Sequence, residues 1–233
     1  MVLLVMTSRE AIKALMGQHR GRFAAELGID LCSGRSEEIF KWLLASVLFG
    51  ARISGNLVKK TFREFASRGI LSPKAILDTG WDGLVEVLDK GGYVRYDFKT
   101  ATKLLEMCTA LTKNYPAGLA GLHGAAVDPG DLEQRLKSLA RGIGDVTVSI
   151  FLRELRGIWE KADPLPSDLA VLAAKEWGII PAAVRNRRLI LGLLRQAGKE
   201  AGMNKSGFPD FESALVRAGI ETRRKHRAAA RSR

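Results

Sequence analysis

The sequence predicts an all-α fold. Apolar residues recur at helical spacing along almost the whole chain. No stretch alternates at period two for long enough to suggest a sheet, and Gly and Pro punctuate the periodic segments at short intervals. Together these features give roughly ten short helices joined by Gly-rich turns, an irregular helical globule rather than a simple bundle. No internal repeat is visible.

Ile39, Trp42, Leu43, Val47 and Leu48 make a broad apolar stripe between Ser36 and Gly50, with Glu37 and Glu38 in the first turn, where acids suit the helix dipole. A second helix is expected from about Ser54 to Arg68, burying Leu57, Val58, Thr61, Phe62 and Phe65 and ending at Gly69. Ser72-Pro73 is a helix start. A short helix over Trp81 to Leu88 runs out at Gly91-Gly92. Asp97 to about Asn114 carries Phe98, Ala101, Leu104, Leu105, Cys108 and Leu111 on one side. Gly118 to Gly130 reads as a loop or weak helix. Further helices are expected over Asp131–Leu139, Asp145 to about Leu155, Ser167–Trp177, Arg187 to about Ala201 and Asp210–Ala218. The tail after Glu221 lacks an apolar face and is expected to be mobile.

With 233 residues, 46% of them hydrophobic, the chain can form one substantial domain or two smaller ones. The longest apolar stretch, Trp42 to Phe49, is too short for a membrane span. Met1–Met6 is apolar without a preceding basic region, and is read as mature sequence rather than a signal peptide. The only cysteines, Cys32 and Cys108, lack metal-ligand spacing and do not imply a disulfide. The setting expected is reducing and intracellular: cytoplasm, nucleoid or nucleus. A net charge of +12 and a pI near 10.0 favour a polyanionic partner, DNA, RNA or an acidic membrane surface. Half of that charge lies in the tail, as Arg223, Arg224, Lys225, Arg227, Arg231 and Arg233; the rest belongs to the body.

Two motifs bear on chemistry. In Leu136–Thr147 a helix ends near Leu139, a Gly142-Ile143-Gly144 turn follows, and a new helix starts near Asp145. Glycine permits left-handed backbone and close approach, and the second helix offers free N–H groups suited to a phosphate. The same pattern also serves as a plain tight connection, and Asp145 competes with phosphate or caps the helix. Downstream, Asp163-Pro164-Leu165-Pro166-Ser167-Asp168 places Ser167 or Asp168 at a helix start. A carboxylate fixed there, partly desolvated, can stabilise the cation that forms on deoxyribose as a base leaves. It can equally be a helix cap.

Leu139 to Thr147 resembles the hairpin of the endonuclease III superfamily, the helix-hairpin-helix (HhH-GPD) DNA glycosylases. Leu165-Pro166-Ser167-Asp168 resembles the Leu-Pro-x-Asp of the inducible 3-methyladenine glycosylases. The resemblance makes Asp168 the catalytic aspartate, with Asp163 the less fitting alternative. Leu43 to Ser54 resembles the family's early helix, whose following turn carries a side chain that enters the duplex; Arg52 falls there. Gly92 to Ala101 resembles the family's Gly-aromatic turn, with Tyr93 as a wedge between bases. Arg141, Gly142, Ile143, Gly144, Val146 and Thr147 would meet the DNA, and Trp42 would line the base pocket. The resemblance spans about Ile39 to Trp177. It implies two helical lobes with a DNA-binding cleft between them: residues 39–155, and 1–38 with 156–221, followed by a basic tail, 222–233.

The implied function is a base-excision DNA glycosylase, a monomer acting on double-stranded DNA with a damaged base, alkylated purines mildly favoured. Bifunctional relatives carry a lysine where Val146 stands, and an apolar side chain forms no Schiff base. The chain is therefore expected to be monofunctional, with Lys137 or Lys161 as displaced amines in the alternative. No cysteine follows Cys108, so the family's iron–sulfur cluster is not expected. A monovalent cation held by the carbonyls near Leu139, Arg141 and Ile143 stays open. Two other readings stand beside this one: a non-catalytic hairpin DNA-binding protein, and an RNA-binding or scaffold protein that works through its tail.

Overall fold

A computed structural model of the chain describes residues 7–204 and 206–231. Met1–Met6, read from the sequence as mature N-terminus, lies outside the described residues, as do Ser232 and Arg233 of the tail. The regular structure is helical, with no strand among the described residues, and the all-α expectation holds. Among the described residues no helix is long and apolar enough to cross a membrane.

The chain divides into two compact units, Ala24–Asp163 and Met1–Phe23 with Pro164–Arg233. The central unit takes in residues 24–38 and 156–163, which the sequence reading gave to the second domain. Specific contacts hold them there. The Ala24 N–H donates to the buried Glu154 carboxylate at 2.9 Å, and the Asp30 N–H to Glu38 at 2.8 Å. Trp159 packs edge-on against Phe151 and stacks on His123.

In this unit the 3₁₀ turns Ala25–Leu27 and Leu31–Ser33 lead into α2 (Ser36–Phe49), after which come α3 (Gly55–Ser67), α4 (Pro73–Gly91), α5 (Asp97–Asn114), α6 (Gly118–Ala125), α7 (Pro129–Lys137) and α8 (Asp145–Glu154). Helix α2 is buried nearly all round and packs against α3, α5, α6 and α8. The two expected pieces within α4 meet at Gly80, whose φ of 67° breaks the helical path. The segment read as a loop or weak helix forms α6, because Leu119 and Leu122 bury against neighbouring helices.

The other unit consists of α1 (Ser8–Gln18), α9 (Asp168–Glu176), α10 (Arg187–Glu200) and α11 (Phe208–Arg231). A reciprocal cap starts α1: Glu10 N–H donates to Thr7 Oγ1 at 3.3 Å, and Thr7 N–H to the Glu10 carboxylate at 2.8 Å. Ile12, Leu15, Ala170, Ala174, Ile190, Leu194, Phe211 and Leu215 form its core. The tail expected to be mobile is instead the end of α11, which stays helical to Arg231. It extends an already packed helix, so nucleation is not required again, and Ala228–Ala230 are strong helix formers.

Helices α9 and α11 approach closely through small residues. A Cβ on Gly219 would stand 2.1 Å from the Leu169 carbonyl oxygen, whereas one on Gly192, exposed in α10, would meet nothing within 4 Å. Gly219→Ala should therefore destabilise by about 1–3 kcal/mol through overpacking. Gly192→Ala should stabilise by about 1 kcal/mol through helix propensity. Urea midpoints of the two variants should move in opposite directions; equal shifts would mean that the close approach does not exist.

Candidate nucleic-acid interface and carboxylate

Helix α7 ends at Lys137, and the buried side chains of Leu139, Ala140 and Ile143 seat the turn that follows. The Ile143 N–H donates to the Ala140 carbonyl at 3.1 Å, closing the turn. Gly142 has φ 88°, a left-handed value that favours glycine. Helix α5 supports the turn from beside it: the Arg141 N–H donates to Glu106 Oε2 at 3.1 Å, and a Cβ on Gly142 would lie 3.1 Å from Lys103 Cε. Lys103 is half-buried, and that burial lowers its pKa from the usual lysine value.

Gly144 caps α8 without any side-chain acceptor. The N–H groups of Asp145, Val146 and Thr147 find no acceptor among the described residues. Asp145 does not cap the helix. Its exposed carboxylate pairs with Lys137 Nζ at 2.5 Å, which offsets the acid's charge at this helix start. Val146 is 63% exposed. Thr147 is buried, and the backbone of Gly50 lies so near that a Cβ there would stand 2.3 Å from Thr147 Oγ1. Of the hairpin residues expected to meet DNA, Arg141, Gly142, Gly144 and Val146 are exposed. Ile143 and Thr147 bury their side chains, so only their backbones are available.

Arg52 is exposed in the bend after α2 and pairs with no acid among the described residues. Two expectations need correction. Tyr93, read as a wedge, is 1% exposed, and its hydroxyl donates to the Leu48 carbonyl at 2.7 Å. Burial pushes its pKa above the usual phenol value. Trp42, read as pocket wall, is fully buried and donates its indole N–H to the Phe151 carbonyl at 3.0 Å. Both are aromatic rings whose polar atom is satisfied inside the core. Val94, 62% exposed, and Arg95 are the residues of that turn which reach solvent.

In the other unit Ser167 is the cap of α9, its hydroxyl accepting the Ala170 N–H at 3.3 Å, and Asp168 is the first residue of the helix. The Asp168 side chain is 76% exposed, not partly desolvated as expected. Arg187, at the start of α10, pairs with Asp168 Oδ1 and also donates to the Pro166 carbonyl at 2.7 Å. No described residue donates to the other oxygen, Oδ2. Asp163 pairs with Arg156 at 2.6 Å. Lys137 is taken up by Asp145, and Lys161 donates to the His123 carbonyl at 3.1 Å.

Among the described residues no group of three or more His, Cys, Asp or Glu could hold a metal ion. Cys32 and Cys108 are both free thiols. The carbonyls of Leu139, Arg141 and Ile143 accept no hydrogen bond from a described residue, so oxygen donors are present at the turn.

Sequence reasoning missed Glu106, Lys103 and Arg187. Lys103 and Glu106 share a face of α5 by their spacing, but the hairpin they support is distant in sequence. Arg187 follows Asn186, whose side chain caps α10 by accepting the Leu189 N–H at 3.0 Å. That start was legible, but its partner was not. No family model matches the chain, and neither a curated protein nor a solved structure does.

Tyr93→Phe should cost about 1 kcal/mol, the value of a buried hydrogen bond whose acceptor is left unsatisfied. Val94→Ala should stay within about 0.5 kcal/mol of the parent. Denaturant titration of both separates a core tyrosine from a surface wedge: no loss for Tyr93→Phe would contradict the buried contact.

Proposed function

We propose that the chain is a DNA glycosylase of base-excision repair that acts without strand cleavage of its own. The observation that carries this reading is the start of α8. Three N–H groups without acceptors stand behind a left-handed glycine turn, in a chain of net charge +12. Such a turn suits a phosphate of double-stranded DNA, held without reading sequence. The sequence resemblance then supplies the chemistry, with Asp168 at the position of the family's aspartate.

In this reading a damaged base leaves the stack, since unstacking is easiest where pairing is already weak. As the bond from sugar C1′ to the base breaks, its electrons depart with the base and positive charge grows on the deoxyribose. Asp168 stabilises that charge and orients a water. The water oxygen bonds C1′, its proton is released, and the products are the free base and an abasic site. Arg187 holds Oδ1 and leaves Oδ2 for this work. Val146 offers no amine, so no Schiff base forms at that position. Arg52 enters the duplex from the bend after α2. The carbonyls of Leu139, Arg141 and Ile143 would hold a monovalent cation if one takes part.

One observation favours the second reading, a DNA-binding protein without turnover. Asp168 is exposed and already paired, where a catalytic carboxylate is more often shielded.

Duplexes with single alkylated, oxidised, deaminated or mismatched bases separate the two. Breaks that appear only after hot alkali, reduced about a hundredfold or more in Asp168→Asn, are the expected result. Breaks without alkali would replace the monofunctional reading with a lyase. Tight duplex binding without excision across the panel would leave the second reading. Arg52→Ala should slow excision more than it weakens binding to undamaged duplex; equal losses would remove its role inside the helix.

A further inference from the structure

The last turns of α11 carry a concentrated charge that the hairpin and Asp168 do not use. From Arg223 to Arg231 the helix holds five cations and no acid. Its two sides differ. Thr222, Lys225 and His226 face Ala11, Glu176 and Trp177 of the same unit across an open groove, where His226 Nε2 stands 4.0 Å from the Glu176 carboxylate. Arg223, Arg224 and Arg227 are exposed, and none pairs with an acid among the described residues. At 100° per residue Arg224 and Arg227 point away from the groove, with Arg223 beside them.

These three arginines stand at i,i+3 and i,i+4 spacings, where like charges oppose the helix. An anionic partner would relieve that repulsion. The stripe has little apolar surface next to it, with Ile220 its one large exposed hydrophobic neighbour. That is too little for a helix buried in a membrane surface, which needs a broad apolar face. Arg223 to Arg227 rises about 6 Å along the helix. A DNA duplex presents a charge every ~1.7 Å of its axis. Several phosphates therefore stand within reach of the three side chains.

We propose that Arg223, Arg224 and Arg227 on the outward face of α11 form a second, sequence-independent contact with the backbone of duplex DNA, in addition to the hairpin. This rests on reading duplex DNA as the substrate, and it assigns to the arm part of the salt-sensitive affinity but none of the chemistry.

The test compares the full chain with the triple variant Arg223→Gln, Arg224→Gln, Arg227→Gln, after circular dichroism shows equal helicity. Binding to an undamaged duplex is followed by fluorescence anisotropy over a salt series. The slope of log K against log salt should become shallower by about two to three, near 0.9 for each lost phosphate contact. Single-turnover excision at saturating protein should not change. An unaltered slope overturns the proposal. So does a loss confined to phosphatidylserine vesicles or to RNA duplex, with DNA binding intact, and so does a loss of excision at saturation. A shallower slope in a protein that excises nothing supports the arm while removing the glycosylase reading. Intact excision with an unaltered slope does the reverse.

Discussion

The central unit depends on burying α2 from almost every side. A helix in that position must satisfy its polar atoms without water, because an unpaired buried group costs about 1–3 kcal/mol. The chain does this with its own neighbours. Ser46 donates back to the Trp42 carbonyl at 2.7 Å, Trp42 donates to Phe151 in α8, and the Leu48 carbonyl receives the Tyr93 hydroxyl. At its C-terminal end Gly50 lets the backbone come against Thr147 in the first turn of α8. The direction of α8, and so of the N–H groups it presents, is fixed by the burial of a different helix. The aromatics that look like ligand-contacting residues in the sequence are engaged in this task.

Asp168 and Arg187 raise a question of magnitude. An exposed carboxylate–guanidinium pair contributes only about 0–1 kcal/mol. Arg187 therefore holds Asp168 weakly, and giving up part of that pairing to a substrate costs little. A positive charge that develops against Oδ2 in a site from which water is excluded would interact far more strongly than the same charge in water. The pairing itself is thus weak enough to give way to a substrate, and it is the exposure of Asp168 that favours the reading without turnover. The pair fixes one oxygen through a cation that also holds the Pro166 carbonyl, and leaves the other unengaged.

The sequence made the helices legible because period and punctuation are local. The caps at Ser54, Ser72 and Ser167 stand where the pattern places them, each hydroxyl accepting an N–H three residues on. Composition left one segment open and hid another. Gly and Ala around Gly118 left loop or weak helix undecided where two buried leucines hold a helix in place, and the charge after Glu221 obscured a helix already nucleated upstream. At the candidate site, the hairpin was legible as a turn of glycines. Which of its side chains reach solvent was not, since Ile143 and Thr147 differ from Val146 only in what lies behind them. Tyr93 and Trp42 failed for the same reason: a conspicuous ring has no sequence signal for whether its polar tip finds water or a buried carbonyl. Partners distant in sequence, such as Glu106 for Arg141 and Arg187 for Asp168, are set by packing alone.

Val146 connects these strands. The N–H groups of a helix start belong to the backbone, so phosphate binding there tolerates almost any side chain, including an exposed valine. Amine chemistry has no such tolerance, because it requires a lysine at a defined place. Lys137 and Lys161 are engaged elsewhere, the first by Asp145 and the second by the His123 carbonyl. Drawing Lys137 away would also leave the Asp145 charge unopposed at the very helix end that would face a phosphate. The pair thus offsets the acid's charge at the start of α8, while Lys103 of α5 is the lysine packed against Gly142 of the turn. In the proposed reading, with Val146 apolar at the amine position, water is the nucleophile and the stabilisation of charge falls on Asp168.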